Sequence, residues 1–196
     1  MTQLFRPSAN RALVAVFAAA ALAFALVVAA GAIIVRSDSF WNVGAPIAQP
    51  VPFSHAVHAG ELGMDCRYCH SGVEVAATAG IPTVETCMGC HSRVWTAASA
   101  LAPLHASATT GEPLAWARVH QLPDHVRFHH GIHVARGVGC AACHGDVARM
   151  AQVRQVEAMS MSWCLDCHRD PHARLPSGGL PPDRLAQLQD CSICHY

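Results

Sequence analysis

The 196-residue sequence contains no lysine, and every one of its 13 basic residues is arginine. A metal site that uses a lysine amine as ligand is therefore excluded. The chain also lacks net charge, since 13 acidic residues balance the basic ones, and this gives no electrostatic case for binding nucleic acid. No cysteine stands alone, because all ten belong to Cys-x-x-Cys pairs. The first is Cys66, so no lipoprotein cysteine lies near the apolar N-terminus.

Residues 12–35 form a run of 24 residues without charge. As a helix, this run would be about 36 Å long, enough for a hydrocarbon core of about 30 Å. A cleavable signal peptide has a shorter apolar run, so we interpret residues 1–36 as an uncleaved signal anchor. Arg6 and Arg11 precede the run and favour a cytoplasmic N-terminus, although Arg36 follows it. The expected topology is a single pass through the cytoplasmic membrane.

Each Cys-x-x-Cys pair is followed directly by a histidine. The five motifs are Cys66, Cys69 and His70; Cys87, Cys90 and His91; Cys140, Cys143 and His144; Cys164, Cys167 and His168; and Cys191, Cys194 and His195. With 14 histidines in the chain, five such neighbours arise by chance on the order of two times in a million, whereas Cys-x-x-Cys-His is the attachment motif of c-type haem. The two thiols add to the two vinyl groups of one haem, and the histidine becomes the proximal ligand of its iron. The expected cofactors are therefore five covalently bound haem c groups.

Zinc and disulfide bonds are the alternatives for paired cysteines. A zinc site takes four ligands from two pairs and has no use for a histidine after each pair. Disulfides need no histidine at all. Because haem is attached to such motifs outside the cytoplasmic membrane, the haem domain is expected on the periplasmic side, in agreement with the orientation given by the arginines.

The segment that begins at Phe53 is repeated from Phe128. The corresponding positions, 74 to 77 residues apart, are Phe53 and Phe128, His55 and His130, His58 and His133, Cys66 and Cys140, and Cys87 and Cys164. Self-similarity on this scale predicts two dihaem lobes that arose by duplication, with the fifth motif added at the C-terminal end. About 32 residues per haem are too few for an ordinary hydrophobic core, so the porphyrins are expected to form the core.

The predicted fold is a mostly irregular and α-helical multihaem cytochrome c with little sheet, made of one N-terminal transmembrane helix and two haem-packed lobes. Short helices are predicted over 83–98, 159–168 and 182–191. The predicted divisions are an anchor at 1–36, a proline-containing stalk at 37–52, a first dihaem lobe at 53–96, a linker at 97–117 and a second lobe with three motifs at 118–196.

Nine histidines remain after the proximal ligands, and five are needed if every iron has two histidine ligands. His55 and His58, like His130 and His133, are three residues apart and can point at two different irons. His120 is the candidate for the fifth distal position, with His125 as the alternative. The remaining histidines are His129, which adjoins His130, His172, which could fold back, and His105, which is expected to be exposed.

The sequence resembles the membrane-anchored pentahaem cytochrome c subunit of alternative complex III, with haem repeats similar to those of class III multihaem cytochromes. The resemblance covers nearly the whole chain, through VPFSHAVHAGELGMDCRYCH, IPTVETCMGCH, RVHQLPDHVRFHHGIHVARGVGCAACHG, MSWCLDCHR and DCSICH. It implies bis-histidine haems, with His55, His58, His120, His130 and His133 as distal ligands. The implied partners are a quinol-oxidising membrane subunit of the polysulfide-reductase type, an iron–sulfur subunit, a monohaem cytochrome c and a haem-copper oxidase. The doublet of His129 and His130 departs from the family pattern and leaves one distal position open.

Three functions fit these features. The first is an electron-transfer subunit of a quinol-oxidising respiratory complex, with no catalytic residue of its own. The second is a multihaem reductase, which needs one iron with an open position; the lysine-ligated kind is excluded. The third is a single-anchor quinol dehydrogenase that donates to soluble periplasmic reductases, although residues 12–35 offer no polar side chain to accept a proton from quinol.

Overall fold

A computed structural model of the protein describes residues 6–171 and 182–195. The chain forms two compact units, Met1–Asn42 and Val43–Tyr196. In the first unit, helix α1 spans Pro7–Ile34, 28 residues or about 42 Å. Beyond its end, the indole Nε1 of Trp41 donates a hydrogen bond to the carbonyl oxygen of Val35 at 2.8 Å. By length and composition α1 is a candidate membrane span, and a signal sequence near an N-terminus has the same features.

The second unit consists of short helices joined by irregular segments. Its helices are a π-helix at Ala56–Glu61, α2 at Cys66–Cys69, α3 at Val84–His91, α4 at Ala102–Thr110, α5 at His130–Ala135, α6 at Ala141–His144, α7 at Met161–Arg169, α8 at Pro182–Leu188 and α9 at Cys191–Cys194, with 3₁₀ turns at Ser99–Leu101 and Val147–Arg149. Within the described ranges, strand pairing is limited to an isolated antiparallel bridge between Val126 and His195. The predicted fold class, mostly helical and irregular with little sheet, is therefore confirmed.

The predicted short helices are found, with different ends. The helix predicted over 159–168 is α7. The helix predicted over 83–98 ends at His91, and a few residues later Trp95 has a positive φ of 57°, which an α-helix cannot accommodate. The helix predicted over 182–191 is divided in the structure. Helix α8 ends at Leu188, and α9 begins after the capping residue Asp190.

The internal repeat has a structural counterpart in the way phenylalanine packs on histidine. Phe53 lies 4.3 Å from His58 with ring planes 27° apart, and Phe128 lies 4.6 Å from His133 at 28°. The same two phenylalanines meet the preceding histidine of each pair edge-on, at 4.8 Å in both copies. We call residues 53–91 the first copy and residues 128–168 the second copy.

The two copies differ by one residue between the histidine pair and the haem motif. Seven residues separate His58 from Cys66, and six separate His133 from Cys140. The first copy forms a π-helix over this region, and the second forms the α-helix α5. A π-helical turn holds one residue more than an α-helical turn. The extra residue is therefore accommodated in the wider turn, and the packing of His58 on Phe53 is preserved.

The segment predicted as a linker contains α4, which contributes to a small apolar cluster. Leu101 and Leu104 are buried and contact Val51, a residue of the predicted stalk. Two hydrogen bonds of 2.9 Å join the Gln49 side chain to the backbone of Ala117. The alanine and threonine content of residues 97–117 favoured a linker, although Leu101 and Leu104 have helical spacing. The boundaries between anchor, stalk and lobes stay predictions.

Candidate haem sites

Each haem motif occupies about one helical turn, which places its three reactive side chains on one face. The histidine amide donates to the carbonyl of the first cysteine in three motifs, at 2.9 Å from His70, 3.0 Å from His144 and 2.9 Å from His195. Residues three and four apart on a helix are neighbours. The two thiols and the imidazole of a motif can therefore reach the same side of one planar ligand. We number the sites first to fifth in chain order.

Capping residues fix where these turns begin. The Asp65 carboxylate accepts a hydrogen bond from the amide of Arg67 at 2.8 Å, and Asp190 accepts one from Ser192 at 2.9 Å. Ser160 accepts a hydrogen bond from the amide of Trp163 at the start of α7. Such N-caps stabilise a short helix by about 1 kcal/mol. In these three motifs, the start of the turn is thus specified locally, by a residue shortly before the first cysteine.

A second histidine faces the motif histidine at three sites. With metal–nitrogen bonds of about 2 Å, two imidazoles on opposite sides of one metal ion have ring centroids about 6 Å apart. The measured centroid distances are 6.2 Å for His58 and His91, 6.3 Å for His130 and His144, and 6.2 Å for His133 and His168. These spacings suit an iron between the rings, and they pair three predicted distal histidines with the second, third and fourth motifs.

At the first site, His55 lies near His70. Burial lowers the pKa of His55, and the nearby His70 and then His58 lower it further. His55 thus lies near the motif histidine of the first site and near His58, which faces the motif histidine of the second. The Nδ1 atom of His55 is buried without a hydrogen-bond partner.

The fifth site brings in His125 instead of the predicted His120. The rings of His125 and His195 lie 5.7 Å apart with planes 16° apart. The bridge between Val126 and His195 and a 2.7 Å hydrogen bond from the Arg127 amide to the Cys194 carbonyl hold the two segments together. His125, the alternative to His120, is therefore the histidine that faces the fifth motif, and the choice between the two as distal ligand stays a prediction. The sequence could not decide this, since the bridge joins residues about 70 positions apart in the chain.

His120 lies behind the third site. Its Nε2 atom is 3.3 Å from Nδ1 of His144, and the two rings meet edge-on at 4.4 Å. If Nε2 of His144 binds a metal, its Nδ1 carries the proton and donates to His120. His120 therefore contacts the outer edge of a proximal ligand, a role that sequence spacing did not indicate.

Most other candidate ligands donate Nδ1–H to a backbone carbonyl. The bonds run from His58 to Ser54 at 2.9 Å, His70 to Gly80 at 2.6 Å, His91 to Val94 at 3.2 Å, His130 to Ala77 at 2.7 Å, His133 to His129 at 2.9 Å, His168 to Leu188 at 3.0 Å and His195 to His125 at 3.3 Å. Such bonds fix the tautomer, orient the ring and leave Nε2 as the ligating atom. The arrangement is typical of histidines that bind metals.

The doublet of His129 and His130 has two distinct roles. His130 is the ring that faces His144, whereas the carbonyl of His129 accepts the Nδ1 proton of His133. In the first copy Ser54 has the equivalent backbone role for His58. His105, expected to be exposed, is half-buried, and its Nε2 has no hydrogen-bond partner. His172 lies outside the described residues.

Burial favours the neutral forms of several site residues. Desolvation, followed by His120, His130 and His70, lowers the pKa of His144 to about 4, so at neutral pH this imidazole is uncharged and can ligate a metal. Burial is also the main cause that raises the pKa of the Cys66, Cys69, Cys87 and Cys164 thiols. Across the described ranges, no group of three or more His, Cys, Asp or Glu side chains converges to hold a bare metal ion. The zinc alternative therefore gains no support from the structure.

The apolar core fits a protein that wraps around large prosthetic groups. The described residues of the second unit bury few apolar side chains, namely Val51, Val73, Leu101, Leu104 and Met150. A domain of about 150 residues ordinarily buries about two thirds of its unfolded surface. The donor set, the spacing of the histidine pairs and the small core all suit covalently bound haem.

Comparisons with known proteins agree with this chemistry. Residues 126–196, which contain three of the five motifs, match the family described as cytochrome c7 and related cytochrome c. The chain is also 35% identical over 111 residues to the multiheme cytochrome c subunit of menaquinone reductase from Nitratidesulfovibrio vulgaris Hildenborough. The match covers 51% of this chain and 53% of that protein, so it spans about half of each. A cytochrome c family match implies covalently bound haem c, and the C-terminal part of this chain is similar to that family.

Proposed function

We propose that this protein is an electron-transfer subunit of a membrane-bound, quinone-linked respiratory complex, with five bis-histidine haem c groups on the periplasmic side. The observation that carries the proposal is the facing of motif histidines by second histidines at 5.7 to 6.3 Å in four sites, with His55 near His70 in the remaining one. An iron with both axial positions filled exchanges electrons and has no open position for substrate.

The residues of the chain divide into holding and orienting groups. We assign the ten motif cysteines to covalent attachment and the motif histidines to the proximal position. The distal position falls to His55, His58, His125, His130 and His133, with His125 replacing His120. When bound, each haem iron would cycle between its ferric and ferrous states and carry one electron. The carbonyls that accept the Nδ1–H bonds would hold the imidazole rings in place during this change. Rigidly held ligands lower the reorganisation energy of electron transfer.

The relative named above supports partners in a membrane complex. It is a subunit of a menaquinone reductase, and a chain whose described residues contain one candidate membrane helix would reach quinone through a partner subunit. The partners we propose are an integral membrane quinone-reactive subunit, an iron–sulfur subunit and a monohaem cytochrome c, with an oxidase as final acceptor.

Haem counting and spin state test the proposal. The full-length chain, produced in a host that matures c-type cytochromes, should contain five haems per chain by the pyridine haemochrome assay. All irons should be low-spin, and the reduced protein should not bind carbon monoxide. A haem with an open position would give a high-spin signal and a carbon monoxide complex, and it would favour the multihaem reductase alternative.

The direction of electron flow has a second candidate. The resemblance to alternative complex III favours quinol oxidation, whereas the similar protein from Nitratidesulfovibrio belongs to a complex named for menaquinone reduction. A chain of haems conducts in either direction, and the potentials of its partners set the direction. Purification from membranes in mild detergent, followed by assays with a menaquinol analogue and with a reduced cytochrome, would separate the two. A chain that purifies without partners and still oxidises quinol would favour the single-anchor dehydrogenase.

A further inference from the structure

The two histidine rings of the second site are tilted against each other, whereas those of the later sites are nearly parallel. The ring planes of His58 and His91 differ by 58°. At the fourth site, the planes of His133 and His168 differ by 24°. The corresponding angles are 6° at the third site and 16° at the fifth. Among these four sites, the second therefore differs in the orientation of its rings, although its ring spacing is similar.

The internal repeat shows which ring causes the tilt, because the second and fourth sites occupy corresponding positions in the two copies. His58 and His133 are held in the same way. Each donates Nδ1–H to the carbonyl four residues before it, at 2.9 Å. Each also stacks on the phenylalanine five residues before it, with ring planes 27° and 28° apart. Since the second histidines are restrained alike, the difference arises at the motif histidines.

The motif histidines of these two sites have different hydrogen-bond acceptors. His91 donates Nδ1–H at 3.2 Å to the carbonyl of Val94, three residues along the chain. His168 donates at 3.0 Å to the carbonyl of Leu188, 20 residues along the chain. Rotation of an imidazole about its Cβ–Cγ bond is only weakly restricted by the side chain itself, so the acceptor determines the ring plane. The ring plane of His91 is thus fixed by the turn that follows its own motif.

This turn has an unusual backbone conformation. The amides of Arg93 and Val94 both donate to the Cys90 carbonyl at 2.9 Å. Trp95 follows with a φ of 57°, in the left-handed region that few residues other than glycine and asparagine adopt. The ψ of Val94 and the φ of Trp95 flank the peptide group that carries the acceptor carbonyl. The left-handed conformation of Trp95 therefore helps to aim this carbonyl at His91.

The angle between two axial imidazoles affects the electronic structure of a low-spin iron between them. Parallel rings interact with the same iron d orbital and separate the two dπ orbitals in energy, which stabilises the ferric state with its one vacancy in this pair. Tilted rings interact with both orbitals and leave them closer in energy. Ferrous iron fills both orbitals and gains nothing from their separation. Tilting therefore raises the reduction potential relative to the same site with parallel rings, and it makes the ferric spin signal more anisotropic.

We propose that the Val94 carbonyl, aimed by the left-handed conformation of Trp95, turns the His91 ring and gives the second haem site an electronic state distinct from those of the third, fourth and fifth sites. This inference rests on the proposed function, in which both rings of a site bind one iron. Val94 and Trp95 are positioning residues, since they act through His91. The second and fourth sites thereby acquire different electronic properties from the same two kinds of ligand.

Electron paramagnetic resonance of the oxidised, haem-loaded, full-length protein tests the proposal. His58→Ala and His133→Ala each remove one second histidine, so each should replace one low-spin signal by a high-spin one. Subtracting the spectrum of each variant from that of the unmodified protein isolates the signals of the second and fourth haems. The second should have the larger maximum g value. Equal values, or a larger value at the fourth site, would overturn the proposal. Failure of the proposed function is distinct, because it would appear as missing or high-spin haems in the unmodified protein.

Variants of Trp95 test the origin of the tilt. Trp95→Asn removes the indole but keeps a residue that tolerates a left-handed φ, so the second-site signal should keep its g value. Trp95→Val introduces a β-branched side chain that disfavours this conformation, so the signal should move towards that of the fourth site. All haems should stay low-spin in both variants, because every axial histidine remains. A signal that is unchanged in both variants, or changed equally in both, would contradict the role assigned to the backbone of Trp95.

Discussion

His120 and His125 stand five residues apart in one loop, and their side chains have different neighbours. His125 faces the motif histidine of the fifth site at 5.7 Å, and His120 contacts the outer nitrogen of His144 at 3.3 Å. Both residues are histidines near haem motifs, so composition and spacing treat them alike. Only their positions in the structure distinguish them. His125 faces a motif histidine, as a distal ligand would, and His120 can accept a hydrogen bond from another motif histidine.

The spin state of matched variants distinguishes these roles. In the proposed ligand set, His125→Ala removes the sixth ligand of one iron, so one of the five proposed haems should become high-spin and bind carbon monoxide. His120→Ala leaves every axial position filled, so all five should stay low-spin. Electronic absorption and electron paramagnetic resonance spectra of the two purified variants provide the measurement. The reverse pattern, with the high-spin haem in His120→Ala, would restore His120 as the distal ligand.

His120→Ala should instead change one reduction potential. Without an acceptor for its Nδ1–H, the His144 imidazole is a weaker electron donor to the iron. The ferric state is then less stable, and the reduction potential rises. The expected increase is at most about 40 mV, the one-electron equivalent of a hydrogen bond worth about 1 kcal/mol. A redox titration followed by absorbance should show one shifted component and four unchanged ones. His120→Gln, which keeps an acceptor, should restore most of the shift, and an unshifted titration in the alanine variant would remove this role.

At the scale of elements, α4 shows how a segment with a linker-like composition stabilises the protein. Leu104 is 3% exposed and Leu101 is 8% exposed. They pack on Val51 and on partly buried side chains of α3, including Cys87 and Met88. The helix ends at Gly111, whose φ of 76° is the left-handed conformation of a helix C-cap. The cluster therefore braces the helix that carries the second haem motif.

Leu104→Ala tests whether α4 has this structural role. Removing a buried leucine side chain should lower the free energy of unfolding by about 2 to 5 kcal/mol. Thr109→Ala, on the exposed part of the same helix, should change it by at most about 0.5 kcal/mol. Thermal unfolding of the haem-loaded variants, followed by circular dichroism, measures both. Equal stability of the two variants would show that residues 97–117 are a linker after all.

At the scale of the whole molecule, the sequence predicts what is local and misses what depends on distant contacts. The motifs, the histidine pairs and the fold class follow from spacing within about 20 residues, and the fold class is confirmed. The bridge between Val126 and His195 and the bond from His130 to Ala77 join residues far apart in sequence, and no periodicity encodes them. For the same reason, the position of His125 emerged only from the structure.

Two glycines mark the places where the copies touch, and their substitution tests the contact between the copies. A Cβ atom in Gly131→Ala would lie 2.7 Å from the Glu74 carbonyl oxygen, and in Gly60→Ala it would collide with that of Ala148. Because both obstacles are backbone, the chain must shift, and each variant should lose about 1 to 3 kcal/mol of stability. Gly139→Ala has no atom within 4 Å of its new Cβ and should be neutral, or stabilised by up to about 1 kcal/mol through the unfolded chain. Chemical denaturation of the haem-loaded variants should therefore show a loss of stability for both contact glycines and none for the control. A loss confined to one contact glycine would mean that only one of the two contacts holds the copies together.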